Sequence, residues 1–206
     1  MKDKDDFTDW SKYLKEYMQH SIIETYRNGF QIFVKNVGYE PGIKFYDNMS
    51  GSLKQVYTLV YRLTPMSVLE CGCGGCYNIR NLRVLFPHIE VHGFDISKEQ
   101  LSFGVWLCNI GREGLSVMDI TKDQPNRKYD FVFTQAVIMH LSTDNAMKAL
   151  NNVKTMSNKY IYLSENPDHH GGMDEWMGMV KTVFHEWKMT ICNEFGGEFI
   201  LLEKDD

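Results

Sequence analysis

Residues 66–76 read Met-Ser-Val-Leu-Glu-Cys-Gly-Cys-Gly-Gly-Cys. A short apolar run ends in an acid, Glu70, and a turn follows with Gly72, Gly74 and Gly75. Beyond the turn, Ile79, Leu82, Val84, Leu85 and Phe86 supply the apolar side of a helix. Strand, glycine turn and helix in this order is how an α/β sheet makes a pocket of nucleotide size. Glycines let backbone N–H groups approach a ligand closely, and a helix N-terminus favours negative charge. A second strand, Ile89 to Phe94, ends in Asp95. An acid at that place can grip two neighbouring ribose hydroxyls.

The discriminating residue is Glu70. Dinucleotide sites put glycines at the strand end to receive a pyrophosphate, which an acid there would repel. An acid suits a cationic amine instead. A ribose plus an ammonium describes S-adenosylmethionine (SAM). On Glu70-x-Gly72-x-Gly74-x-Cys76 the chain resembles the class I SAM-dependent methyltransferases, whose first motif is acid-x-Gly-x-Gly-x-Gly. Cys76 stands where that motif has its third glycine, which puts close helix packing at the turn in question.

From Met66 onward strands and helices alternate. Strand 66–70 leads to helix 77–86, and strand 89–94 to helix 98–109, with Ser97 and Gln100 spaced as a capping box. Strand 114–118 ends at Asp119, strand 129–134 leads to helix 143–156, and strand 159–164 precedes a polar loop. Helix 173–186 follows, then strands 188–194 and 198–203 around Gly196-Gly197, read as a two-residue hairpin turn. Alternation of this kind predicts a parallel sheet with helices on both faces, and the closing hairpin makes one edge antiparallel. The expected fold is α/β, Rossmann-like and doubly wound. Its seven-stranded sheet is mostly parallel with an antiparallel last strand, and an N-terminal helical segment is added. Residues 8–35 have helical periodicity and 36–48 read as a loop. A helix from Ser52 to Leu63 follows, with Ser52 and Gln55 as its capping box. Residues 1–48 are thus expected to be a helical lid and 49–206 a SAM-binding domain. The first 60 residues hold eleven aromatics, whose rings suit stacking on adenine or sugar faces.

The resemblance implies roles for the strand ends. Glu70, Gly72 and Gly74 would meet the methionine end of SAM, and Asp95 the ribose hydroxyls. Asp119 would face the adenine amine, with Ile96 and Met118 against the adenine ring. Thr134 and Gln135 would line the path from sulfonium to acceptor. Transfer would leave S-adenosylhomocysteine. An oxygen or nitrogen acceptor can require a base, for which His140, His169 and His170 are the candidates. The sequence leaves open both the acceptor and whether a base is needed.

Composition bounds the partners. The net charge is −5 with no basic run, which argues against nucleic acid. Amino-methylating DNA enzymes carry Asn/Asp-Pro-Pro-aromatic after the fourth strand and cytosine C5 enzymes carry Pro-Cys, where this chain has Thr134-Gln135-Ala136-Val137. The expected acceptor is a small molecule or a sugar or glycan precursor. Phe131 to Leu141 resembles, loosely, methylases of sialic-acid-like (pseudaminic) sugar pathways. A protein methyltransferase and a non-catalytic partner subunit of the same fold are the alternatives. Glu70 and the antiparallel hairpin disfavour an NAD(P) oxidoreductase. No apolar stretch reaches membrane-spanning length, the N-terminus is charged, and the five cysteines are an odd count. A cytoplasmic, reduced protein is the expectation. Cys71, Cys73 and Cys76 lack a second ligand cluster, so no metal is expected. The oligomeric state is not set by the sequence.

Overall fold

The computed structural model describes residues 51–205. The expected lid, residues 1–48, lies outside them. Helix α1 (Gly51–Leu63) is followed by β1 (Ser67–Cys71), α2 (Tyr77–Leu85), β2 (Glu90–Asp95) and α3 (Lys98–Cys108). Next come β3 (Leu115–Val117), β4 (Tyr129–Gln135), α4 (Thr143–Met156) and β5 (Ser157–Ser164), then α5 (Met173–Val183), β6 (Trp187–Cys192) and β7 (Phe199–Lys204). Short 3₁₀ turns, Ile138–His140 and Pro167–His170, follow β4 and β5.

The strands form one sheet in the order β3-β2-β1-β4-β5-β7-β6. The first five are mutually parallel, while β7 runs antiparallel to both β5 and β6. The chain winds outward from β1 to β3, then returns to lay β4 against the other side of β1. That reversal opens a crevice at the carboxyl ends of β1 and β4, where open α/β sheets bind ligands.

Side-chain alternation sorts the core into two layers. Leu69, Cys71, Val132, Ile161, Leu163, Ile200 and Leu202 pack with Leu150, Val153 and Met156 of α4 and Trp176 and Val180 of α5. Val68, Phe131, Phe133 and Tyr162 face Val56 and Val60 of α1, Ile79 and Leu82 of α2 and Leu101 of α3. Each fully buried large side chain of this kind contributes about 1.5–3 kcal/mol.

Most predicted elements form within two residues of their expected ends, and two details differ. Gly196 and Gly197 are not a two-residue turn, because β6 stops at Cys192 and β7 starts at Phe199. Both glycines have positive φ (80° and 85°), so they bend a longer loop rather than close a tight hairpin. Ser52 lies inside α1 rather than at its cap, and its hydroxyl accepts a bond from Gln135 Nε2 at 3.0 Å.

Candidate active site

The glycine turn is held from three sides. The N–H groups of Gly72 and Cys73 both donate to the Phe94 carbonyl, at 2.8 and 2.9 Å. Gly72 has φ 78°, and a Cβ there would lie 2.4 Å from Val137 Cγ2, so the exit of β4 presses on the turn. A Cβ on Gly104 of α3 would lie 2.5 Å from the Gly75 carbonyl carbon and 2.9 Å from Cys76 Sγ. Close helix packing therefore survives without a glycine at 76. Gly104 supplies the room, and Cys76 itself takes the left-handed conformation (φ 59°), fully buried at the start of α2.

Two acids face each other across this turn. Asp95 Oδ2 accepts from Gly74 N and Oδ1 from Ser97 N, both at 2.8 Å. Ser97 in turn caps α3 by accepting from Gln100 N at 3.1 Å. The box is half formed, since the Ser97 N–H goes to Asp95. Burial raises the pKa of Asp95 against the lowering effect of its backbone donors.

Glu70 is more deeply set. Its Oε1 accepts from Asn78 Nδ2 at 2.6 Å, while Oε2 is buried with no hydrogen-bond partner among the described residues. Burial pushes its pKa up to about 8; the Asn78 bond works against that rise, and the charge of Asp95 adds to it. A buried acid with an idle oxygen is costly unless a cation or donor completes it.

Asn78 also donates to Gln135 Oε1 at 3.0 Å and accepts from Tyr57 Oη at 2.8 Å. Asn81 donates to the same Tyr57 oxygen at 2.8 Å, and Gln135 reaches Ser52. A polar chain thus runs from α1 through α2 to the ends of β1 and β4. Sequence reasoning missed Asn78 and Tyr57. The available signal was Asn78 and Asn81 at i, i+3 beside Ile79 and Leu82, two amides on a face otherwise bound for the core.

The remaining expected residues divide into those near this crevice and those turned from it. Thr134, fully buried, sits beside Glu165 and helps hold that acid's pKa down. Ile96 and Met118 flank Asp95, whose carbonyl accepts from Met118 N at 3.0 Å. Asp119 serves its own turn. Oδ1 accepts from Thr121 N and Oγ1, and Oδ2 lies 2.7 Å from Lys122 Nζ. Burial would raise its pKa, but these bonds outweigh it and hold the carboxyl below the ordinary value.

The histidines do not act as one set. His140 and His169 approach edge to face with centroids 6.1 Å apart. His170, a candidate base from the polar loop after β5, is buried. Its ring stacks on Trp176 at 5.5 Å, and Nε2 lies 3.0 Å from the Ile138 carbonyl. The three turn cysteines also separate, Cys71 to one side of the sheet and Cys73 and Cys76 to the other. Among the described residues no group of three or more metal-binding side chains is assembled.

Comparison with known proteins places this fold. Residues 68–159 match the family model described as methyltransferase domain. Magnesium protoporphyrin IX methyltransferase from Synechocystis, solved with bound SAM, superposes with a TM-score of 0.63 over 98% of both chains at 16% identity. The plantazolicin methyltransferase BpumL, in complex with SAH, gives 0.64 over 95% of this chain and 93% of its own at 15% identity. The methyltransferase domain of bacterial CtHen1 gives 0.66 over 76% of this chain and 98% of its own at 13% identity. The chain has the seven-stranded α/β fold of the SAM-dependent methyltransferases. A sequence search of curated proteins finds no match.

Proposed function

We propose that this chain is a methyltransferase that uses SAM and acts on an oxygen or nitrogen of a small molecule, with S-adenosylhomocysteine as the second product. The observation that carries the reading is the buried, idle oxygen of Glu70 across the glycine turn from Asp95. One position asks for a cation and the other for a diol, and SAM carries both.

In this reading Glu70 holds the ammonium and Asp95 the ribose hydroxyls. Gly72 and Gly74 keep the backbone low enough for the ligand to lie over it. Ile96 and Met118 offer apolar contact to the adenine. Asp119 reaches the adenine amine by exchanging the exposed Lys122 for it. The bound cofactor supplies an activated methyl group on a sulfonium, so the chain's own task is alignment. Thr134 and Gln135 stand where the acceptor approaches. His140, with His169 beside it, takes the acceptor proton, since an imidazole titrates near neutrality. His170 is committed to Trp176 and the Ile138 carbonyl and takes no part.

A small-molecule acceptor agrees with the net charge of −5 and with structural neighbours named for magnesium protoporphyrin IX and plantazolicin. A sugar acceptor rests only on the local resemblance of Phe131 to Leu141. Residues 1–48 are proposed to cover the site, because α1 meets it at Ser52–Gln135. Among the described residues no helix is long and apolar enough to cross a membrane.

Calorimetry with SAM, S-adenosylhomocysteine and NAD tests the binding reading. Saturable binding of the first two and none of the third is expected, and the reverse would sink it. Turnover to S-adenosylhomocysteine with an acceptor panel tests catalysis. Tight binding without turnover across a broad panel would leave a non-catalytic partner subunit.

A further inference from the structure

We propose that Glu165 is a positioning residue for the methyl transfer, which sets His140 by clamping the exit of β4 from the end of β5. The proposal rests on the methyltransferase reading above. Glu165 is buried immediately after β5. Its Oε2 accepts from both Val137 N and Met139 N, each at 3.0 Å. These amides lead into and belong to the Ile138–His140 turn. The carbonyl between them, Ile138 O, meets His170 Nε2 from the same side at 3.0 Å. Three backbone polar groups within Val137–Met139 are thus met by two side chains of the segment that leaves β5.

The segment needs such support. It has left the β4 ladder, and Ala136 stands in a left-handed conformation (φ 54°) that alanine rarely adopts. Its own amide is tied across to the Ser164 carbonyl at 2.9 Å. Val137 also rests on Gly72, so the clamp fixes one wall of the glycine turn along with the base. His169, on the segment that carries Glu165 and His170, meets the His140 ring at 6.1 Å. The two turns behave as one block, with Glu165 as its inner bolt.

A carboxylate is a costly choice for a buried structural acceptor. Burial pushes its pKa up to about 7, against its backbone donors and Thr134. Its Oε2 is taken by the two N–H groups, which is the clamp; its Oε1 is buried with no hydrogen-bond partner among the described residues and is the oxygen a competing role as proton acceptor would use. Gln keeps an acceptor oxygen of the same reach and loses the charge, so Glu165→Gln separates the two roles.

The test uses the full chain in three forms, with proton NMR and steady-state kinetics. In the unmutated protein the amide protons of Val137 and Met139 should shift together with pH near 7, as the acid they bond to titrates. Glu165→Ala should lower kcat by about a hundredfold, the cost of misplacing a base by about 1 Å. SAM affinity should fall less than kcat, by under about tenfold, through the Val137 contact on Gly72. Glu165→Gln should restore kcat to within about fivefold and abolish the amide titration. Val137 and Met139 amide shifts that are the same in the unmutated protein and in Glu165→Gln would overturn the clamp, and that measurement needs neither turnover nor a folded Ala variant. A Gln variant as inactive as the Ala variant, with both amides still in place, would make Glu165 the base and overturn the positioning role. Failure of the methyltransferase reading shows separately, as absent SAM binding in the unmutated protein.

Discussion

The Asn78 amide donates to Glu70 at 2.6 Å, and the other Glu70 oxygen is buried without a hydrogen-bond partner among the described residues. The pair explains why a helix that begins at the glycine turn buries Asn78, as the Tyr57 hydroxyl explains Asn81. Asn78 fixes one oxygen of the acid and leaves the other open to the ammonium proposed for it.

Glu70 should therefore release a proton when SAM binds. With its pKa pushed up to about 8, the ligand-free acid is mostly protonated at pH 7, and an ammonium draws it to the charged form. Calorimetry in buffers of different ionisation enthalpy should show close to one proton released, and none in Glu70→Gln. The same shift bears on folding. A carboxyl raised from 4.5 to about 8 contributes stability that is complete below about 4.5 and is lost as pH rises through 8. Glu165 adds the same sign over the window from 4.5 to about 7. The ligand-free protein should melt at higher temperature at pH 5 than at pH 8, and Glu70→Gln should flatten that slope. A flat profile in the unmutated protein would contradict the buried-acid description.

Asp95→Ala should weaken SAM binding by at least about tenfold, as charged hydrogen bonds are worth roughly 1.5–3 kcal/mol each. The structure adds a second effect. Asp95 also holds Gly74 N and Ser97 N, so the variant should melt several degrees lower. Calorimetry and thermal melts read the two effects apart. Unchanged affinity in a folded variant would remove Asp95 from the site.

His140→Ala should cut kcat by about a hundredfold or more and remove the acidic limb of the pH–rate profile, with SAM affinity little changed. His169→Ala should cost less, since His169 is exposed and meets the site through the His140 ring. The opposite ranking in steady-state kinetics would move the base to the loop after β5.

Cys76→Gly should leave SAM binding intact and alter the melting temperature by only a few degrees. Glycine relieves the positive φ at this position, worth about 1 kcal/mol, but gives up a buried thiol and adds chain entropy to the unfolded state. Loss of binding on this change would show that the thiol shapes the cofactor turn.

What the sequence disclosed and withheld divides along a physical line. Helix 143–156 and the Ser97 cap were legible because both depend on neighbours within a few positions. The acids Glu70 and Asp95 were legible because strand ends are marked by where apolar runs stop. The fate of Asp119 was not, since Thr121 and Lys122 compete for the same carboxylate only once the turn has formed. The hairpin glycines misled because two adjacent glycines fit a short turn and a longer loop equally well. His170 read as a candidate base in a polar loop beside Asp168 and His169, yet Trp176, six residues on, draws it inward. Asn78 and Glu165 act across separations of 57 and 28 residues, on Gln135 and Val137, and no local pattern records such partners.

The position of β7 carries one more consequence. It lies between β5 and β6 rather than at the rim, so a segment that follows both of them in the chain completes the sheet from within. Until residues 199–204 pair, the place between them is an open slot, with β5 unpaired on that side and β6 without a neighbour in the sheet. Both sides of that slot expose unpaired backbone groups, which invite a strand from another nascent chain. How soon β7 pairs thus sets how long the chain presents those edges to a neighbour.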